Sequence, residues 1–149
     1  MSDENNFDAY KPAKIAALVE QVGVTKAEIP VFRMFVLAVL AGAFIGFGAA
    51  AYIAVMSDVD AAFGPSKLLG GVAFSLGLIL VIVGGAELFT GNALMVMAAV
   101  DRKITSRQLF RSWAVVYVGN FAGAGMLALA FGYSGLLDGP MGATATNIS

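Results

Sequence analysis

Three long apolar segments dominate the pattern of hydrophobic and polar positions along this chain. They run from about Val31 to Ser57, from Leu68 to Val100 and from Ser112 to Leu137. Each is long enough to cross the roughly 30 Å hydrocarbon core of a bilayer as a helix. We therefore predict an all-α membrane protein with three transmembrane segments. Residues 1–30 would form a polar N-terminal segment and residues 31–149 the membrane part.

The second segment is too long, and too polar in its middle, to be one straight helix. A continuous helix from Leu68 to Val100 would be about 50 Å long. Glycine weakens helix interiors, and three glycines lie between positions 84 and 91. We predict two half-helices, Leu68–Gly84 and Gly91–Val100, joined by a non-helical break. Irregular backbone at this depth must be buried in protein or line a watery cavity, and broken helices often form the substrate site of transporters.

Polar side chains cluster at this break. Glu87 is the one ionisable residue of the second segment, and a carboxylate in hydrocarbon is costly unless it is paired or hydrated. We predict that Glu87 is buried and hydrogen-bonded, either as a functional group or as a support for the unwound backbone. Thr90 offers a hydroxyl beside the break for a functional role, and the same side chain can cap the second half-helix; the two readings are compatible. Asn92 and Asn120 are predicted to form hydrogen bonds between helices.

The polar N-terminal segment contains a weak helical pattern. Pro12 suits a first helical turn and Gly23 a helix stop. The sequence leaves open whether this helix lies in the membrane interface or packs against the transmembrane body. Its pattern rests on apolar residues at helical spacing: Ile15, Leu18, Val19 and Val22.

Small residues recur every four positions in the first and third segments. This spacing allows helix backbones to approach closely, so we predict helix–helix contacts there. A smooth stripe facing a pore is the alternative reading. The residues are Ala38, Gly42, Gly46 and Ala50 in the first segment, and Gly119 and Gly123 in the third.

Charge and composition restrict orientation and chemistry. Of the nine Lys and Arg residues, all except Lys67 lie before or at the start of the first segment, or between the second and third. The positive-inside rule therefore predicts a cytoplasmic N-terminus and an outside position for the end of this chain. The chain has no Cys and no His, and it lacks a nucleophile–base pair, a phosphate loop and a basic nucleic-acid patch. We expect no enzyme activity, cofactor, metal site or nucleic-acid partner.

Several stretches resemble the formate/nitrite transporter family. Phe74–Leu80 followed by Gly84–Asn92 is similar to that family's second transmembrane segment, and Ser112–Gly123 to its third helix. Asn6–Asp8 and Val22–Ala27 look like its N-terminal region. The resemblance implies an aquaporin-like fold built from two inverted three-helix halves, of which this chain would be one. It also implies homopentamers with one pore per protomer.

The resemblance further implies a function and its residues. The family passes small monovalent anions such as formate, nitrite or hydrosulfide through two apolar constrictions. Leu78, Leu88 and Phe89 match the cytoplasmic-side constriction, and Phe74 matches the outer one. Glu87 and Thr90 match the loop at the break, where the threonine would hydrogen-bond a central histidine.

That histidine, and a lysine that attracts the anion, belong to the family's second half. We therefore expect an N-terminal half of a formate transporter or channel, with proton coupling as a possible feature, in the cytoplasmic membrane. The alternative is a non-transporting membrane assembly protein or an inactive fragment.

Overall fold

The computed structural model describes residues 10–57, 59 and 64–148. Within these ranges the backbone is helical without strands, and three helices are long and apolar enough to cross a membrane. The predicted all-α architecture with three spans is confirmed. The resemblance at Asn6–Asp8 lies outside the described residues. The helices are α1 (Pro12–Ala27), α2 (Val31–Met56), α3 (Gly64–Val83), α4 (Phe89–Ala93), α5 (Met95–Val100), α6 (Ser106–Tyr133) and α7 (Pro140–Ile148).

The small residues of α2 and α6 form the contact between these two helices. A Cβ atom at Gly42 would overlap the backbone of Asn120, and one at Gly123 would overlap the backbone of Val39. On its other side α2 packs against α3, where a Cβ at Gly77 would lie 2.8 Å from the carbonyl oxygen of Phe44. The predicted helix–helix contact is confirmed. Glycine is required at these positions because the backbones of the neighbouring helices are in direct contact, which leaves no space for a Cβ atom.

The second apolar segment is broken, as predicted. Helix α3 ends at Val83 and the chain becomes helical again at Phe89. Gly85 has a φ of +59°, a left-handed conformation that glycine adopts without steric cost. The bounds differ from the prediction at both half-helices. Helix α3 begins four residues before Leu68 and ends at Val83, one residue before Gly84. Helix resumes two residues before Gly91, and the second half-helix is interrupted at Leu94, between α4 and α5.

Helix α1 packs along α5. Pro12 occupies its first turn, as predicted, but the prediction that Gly23 ends the helix is wrong, because α1 continues to Ala27. Gly23 instead faces α5, where an added Cβ would lie 3.1 Å from the Cβ of Ala98. Its role is close packing between the two helices. The apolar residues Ile15, Leu18 and Val22 remain exposed on α1.

Helix α6 begins at Ser106 and ends at Tyr133, earlier at both ends than the apolar segment suggested. Hydropathy marks only the uncharged part of a helix, and the first turns of α6 contain Arg107 and Arg111. The start is defined by a capping box in which Thr105 Oγ1 accepts from the Gln108 amide at 3.2 Å, and Gln108 Oε1 accepts from the Thr105 amide at 2.8 Å.

Candidate functional site

The non-helical break, residues 84–88, is attached to α2 as well as to its own helix. The amides of Gly84 and Ala86 donate to carbonyl oxygens of the last turn of α3, at 2.8 and 3.0 Å. The amide of Glu87 donates to the carbonyl oxygen of Leu37 at 3.2 Å. These bonds satisfy backbone groups that would otherwise be orphaned at a helix end.

Glu87 is buried and paired. The residue is 5% exposed, and its Oε2 accepts a hydrogen bond from Lys26 Nζ at 2.7 Å. The predicted burial and hydrogen bonding of Glu87 are therefore confirmed. Nothing local in the chain indicates that Lys26 is the partner, because the two residues lie 61 positions apart. A carboxylate inside an apolar segment requires some partner, but this requirement does not identify which residue the partner is.

Asn92 extends this polar cluster into α6. Its Oδ1 accepts from Lys26 Nζ at 2.9 Å, and its Nδ2 donates to Ser112 Oγ at 3.1 Å. The indole N–H of Trp113 donates to the carbonyl oxygen of Asn92 at 2.9 Å. Asn92 thus forms the interhelical hydrogen bonds that were predicted. Sequence reasoning missed Ser112, whose only signal was a hydroxyl at the start of the third apolar segment.

Asn120 forms hydrogen bonds with the backbone at the start of α4. Its Oδ1 accepts from the amide of Phe89 at 2.9 Å, and its Nδ2 donates to the carbonyl oxygens of Ala38 at 2.8 Å and Glu87 at 2.9 Å. The prediction that Thr90 caps this half-helix is wrong. The N-cap is Leu88, without a side-chain hydrogen bond, because the asparagine of α6 satisfies the first free amide. Thr90 lies inside α4 and is exposed.

The predicted apolar path residues fall into two groups. Leu88 packs on the buried cluster of Ala41, Val81 and Ala86. Phe89 packs on a different cluster, formed by Met34, Ala38 and Val116, and its ring centroid lies 6.2 Å from that of Trp113 and 5.6 Å from that of Tyr117. The second group, Phe74 and Leu78, is exposed one turn apart on α3. The structure thus brings Glu87, Asn92 and Asn120 together at the break. Two of the four predicted apolar path residues, Phe74 and Leu78, remain exposed.

Basic residues also tie α1 to the loop before α6 and to α6 itself. Arg111 Nη2 donates to the carbonyl oxygen of Ala27 at the end of α1, at 2.6 Å. Lys103 pairs with Glu20 of α1 and, at 3.0 Å, with Asp101. Hydrogen bonds from Lys103 to Glu20 and then to Asp101 raise the pKa of this ammonium group above its ordinary value. Lys26 therefore reaches Glu87 from α1, a helix that is also bonded to Lys103 and Arg111.

The chain is similar in sequence to known membrane channels. The family model described as formate/nitrite transporter matches residues 13–149. The formate channel FocA of Escherichia coli K12 is 42% identical over 136 residues, which are 91% of this chain and 48% of that channel. The formate channel BtFdhC of Bacillus thuringiensis is 38% identical over 133 residues, 87% of this chain and 51% of that channel.

The fold agrees with the sequence comparison. A solved structure described as an FNT family ion channel superposes with a TM-score of 0.68 at 27% identity, covering 83% of this chain and 49% of that chain. The chain spans about half the length of the curated relatives it matches. From the match over nearly all of its residues, the chain belongs to the formate/nitrite transporter family.

Proposed function

We propose that this chain forms one half of a channel or transporter for small monovalent anions, with formate as the principal substrate and nitrite or hydrosulfide as further ones. The observation that carries the proposal is the break at residues 84–88, where non-helical backbone lies inside an apolar segment and is held by side chains from α1 and α6. The 42% identity to a formate channel supports formate as the substrate.

The electrostatics of the break are compatible with an anion path. An unpaired carboxylate beside such a path would repel an anion, and the repulsion would be strong where the dielectric constant is low. The 2.7 Å ion pair with Lys26 compensates the charge of Glu87. The remaining polar groups at the break are amides and a hydroxyl, which are neutral.

Within this proposal, Phe74, Leu78, Leu88 and Phe89 line apolar constrictions, and Thr90 presents its hydroxyl to the path. Apolar constrictions exclude hydrated ions because they offer no groups that replace the hydration shell. The exposure of Phe74, Leu78 and Thr90 supports this assignment, since all three are accessible to a passing solute or to a further half of the pore.

We further propose a cytoplasmic N-terminus and assembly into a homopentamer. The orientation is supported by the ion pair between Lys103 and Glu20, which places α1 beside the basic loop between α5 and α6, so that the basic residues of both lie at one end of the helices. The homopentamer is the assembly that the resemblance to the family implies. The exposed apolar surface of α3, including Leu68, Ile82 and Val83, is available for contact with lipid or with another helix. Proton-coupled transport belongs to the same proposal.

The test is formate flux into liposomes. A polypeptide of full family length that contains these 149 residues would be reconstituted, and uptake of labelled formate compared with protein-free liposomes. We expect uptake that nitrite and hydrosulfide compete with. Absence of flux for all three anions, with an intact oligomer, would reject transport and favour the non-transporting membrane assembly protein.

A further inference from the structure

We propose that Asn120 is the positioning residue of the anion path: from a neighbouring span it fixes the backbone of Leu88 and Phe89 and thereby sets which anions pass. The inference rests on the proposed function of the break as part of that path. Asn120 itself acts only through the residues it holds.

The hydrogen bonds of Asn120 clamp one residue on both sides. Its amide donates to the carbonyl oxygen of Glu87 and its carbonyl accepts from the amide of Phe89, both at 2.9 Å. These two groups flank Leu88, whose φ of −101° and ψ of 134° are extended. A neighbouring parallel strand would bond the same two groups. One side chain therefore defines the conformation at the point where the break becomes helix.

Asn120 is itself held in place by its contacts with α2. The second donor of Asn120 bonds the carbonyl oxygen of Ala38 in α2 at 2.8 Å, so both donors and the acceptor of the amide are used. The backbone of Asn120 lies directly against Gly42, with no intervening side chain. Since α2 and α6 are packed backbone to backbone here, the position of Asn120 is set by the contact between these two helices.

Helix α6 also supports the side chain that the clamp positions. Trp113 and Tyr117 contact the ring of Phe89 from the same helix that carries Asn120. The backbone of Phe89 is thus held by Asn120, and its ring by residues one and two turns earlier on α6. The geometry assigns the width of this constriction to α6 as well as to the broken segment.

Replacing Asn120 should change selectivity more than folding. The contact of α2 with α6 depends on Gly42, Gly119 and Gly123, which the replacement leaves in place. What is lost is the three hydrogen bonds of the side chain, to the Ala38 carbonyl, the Glu87 carbonyl and the Phe89 amide. These groups would then seek other partners, as buried polar backbone groups must, and Leu88 and Phe89 would leave their present positions.

The experiment compares formate with acetate flux in liposomes for the full-length polypeptide and for Asn120→Leu. Apolar pockets discriminate a single methyl or methylene group by about 10–200-fold, so we expect the formate-to-acetate ratio to fall by about tenfold. Ser134→Ala is the matched control, because this exposed serine near the end of α6 bonds only within its own helix and turn. A ratio equal to that of the wild type would overturn the inference, even if total flux fell.

A second variant covers the case in which Asn120→Leu does not assemble. Asn120→Asp keeps the acceptor for the Phe89 amide and removes the donors to Ala38 and Glu87. We expect a lowered formate-to-acetate ratio in an assembled oligomer. Wild-type selectivity in Asn120→Asp would contradict the clamp.

A readout independent of transport separates this inference from the proposed function. The 149 residues contain no cysteine, so Thr90→Cys gives a single thiol within them, next to the clamped residues. We expect its labelling rate with a maleimide to change at least severalfold when Asn120→Leu is added. If wild-type protein moved no anion, the proposed function would fail, while the labelling rates would still decide whether Asn120 positions the break. Equal rates would reject the positioning role.

Discussion

Lys26 in the last turns of α1 donates a 2.7 Å hydrogen bond to Glu87, the one carboxylate inside the broken second span. The lysine side chain is 20% exposed and the glutamate side chain 7% exposed, so the pair lies at the edge of the buried region. The same ammonium group bonds Asn92 at 2.9 Å. One cation from outside the spans therefore holds both the non-helical break and the short helix that follows it.

The first prediction concerns the stability of this pair. Lys26→Met should lower the midpoint of thermal unfolding, because it leaves a buried carboxylate without its partner, which costs about 3–5 kcal/mol in fully buried pairs and less in a pair at the edge. Adding Glu87→Gln should restore part of the loss. Thermal unfolding in detergent measures both variants. A double variant no more stable than Lys26→Met would show that the carboxylate is not the source of the loss.

The second prediction concerns Phe89 as a steric element. Phe89→Ala should widen the proposed constriction and lower the formate-to-acetate flux ratio by about tenfold, the range that an apolar site achieves for one carbon. Phe32→Ala is the control, since that ring is 80% exposed at the start of α2. Unchanged selectivity in Phe89→Ala would remove Phe89 from the path.

The third prediction concerns the hydroxyl of Thr90. Thr90→Val keeps the side-chain volume and removes the hydroxyl, leaving a partner in the path without its hydrogen bond at a cost of about 1–3 kcal/mol. Formate flux in liposomes should fall while the oligomer persists in size-exclusion chromatography. Thr90→Ser, which keeps the hydroxyl, should retain flux. Wild-type flux in the valine variant would show that this hydroxyl does not serve transport.

The fourth prediction uses two glycines of α6 as a matched pair. Gly123→Ala should reduce the yield of folded protein, because the new Cβ would overlap the carbonyl group of Val39 on α2. Gly125→Ala adds the same atom two residues later, where nothing lies within 4 Å, and should be neutral or stabilising by up to about 1 kcal/mol, from helix propensity. Folded yield and thermal unfolding would test both. Equal behaviour of the two variants would contradict backbone contact between α2 and α6.

Local features of the sequence were sufficient for the spans and the break. The length of an apolar run and the positions of its glycines are local features of the chain. Their structural effects can therefore be predicted without the tertiary structure. The same holds for the burial of Glu87, because the free energy cost of a bare carboxylate in hydrocarbon applies in any fold. The motif around Gly84–Asn92 also led to the family.

The partners were decided only by the tertiary structure. Thr90 had the side chain of a cap, yet the free amide of Phe89 is satisfied by Asn120 of α6. Gly23 had the character of a stop, yet it serves the contact with Ala98. A residue's own chemistry determines that it needs a hydrogen bond or close packing. Which group supplies it depends on where the helices cross, and that follows from the packing of the whole chain.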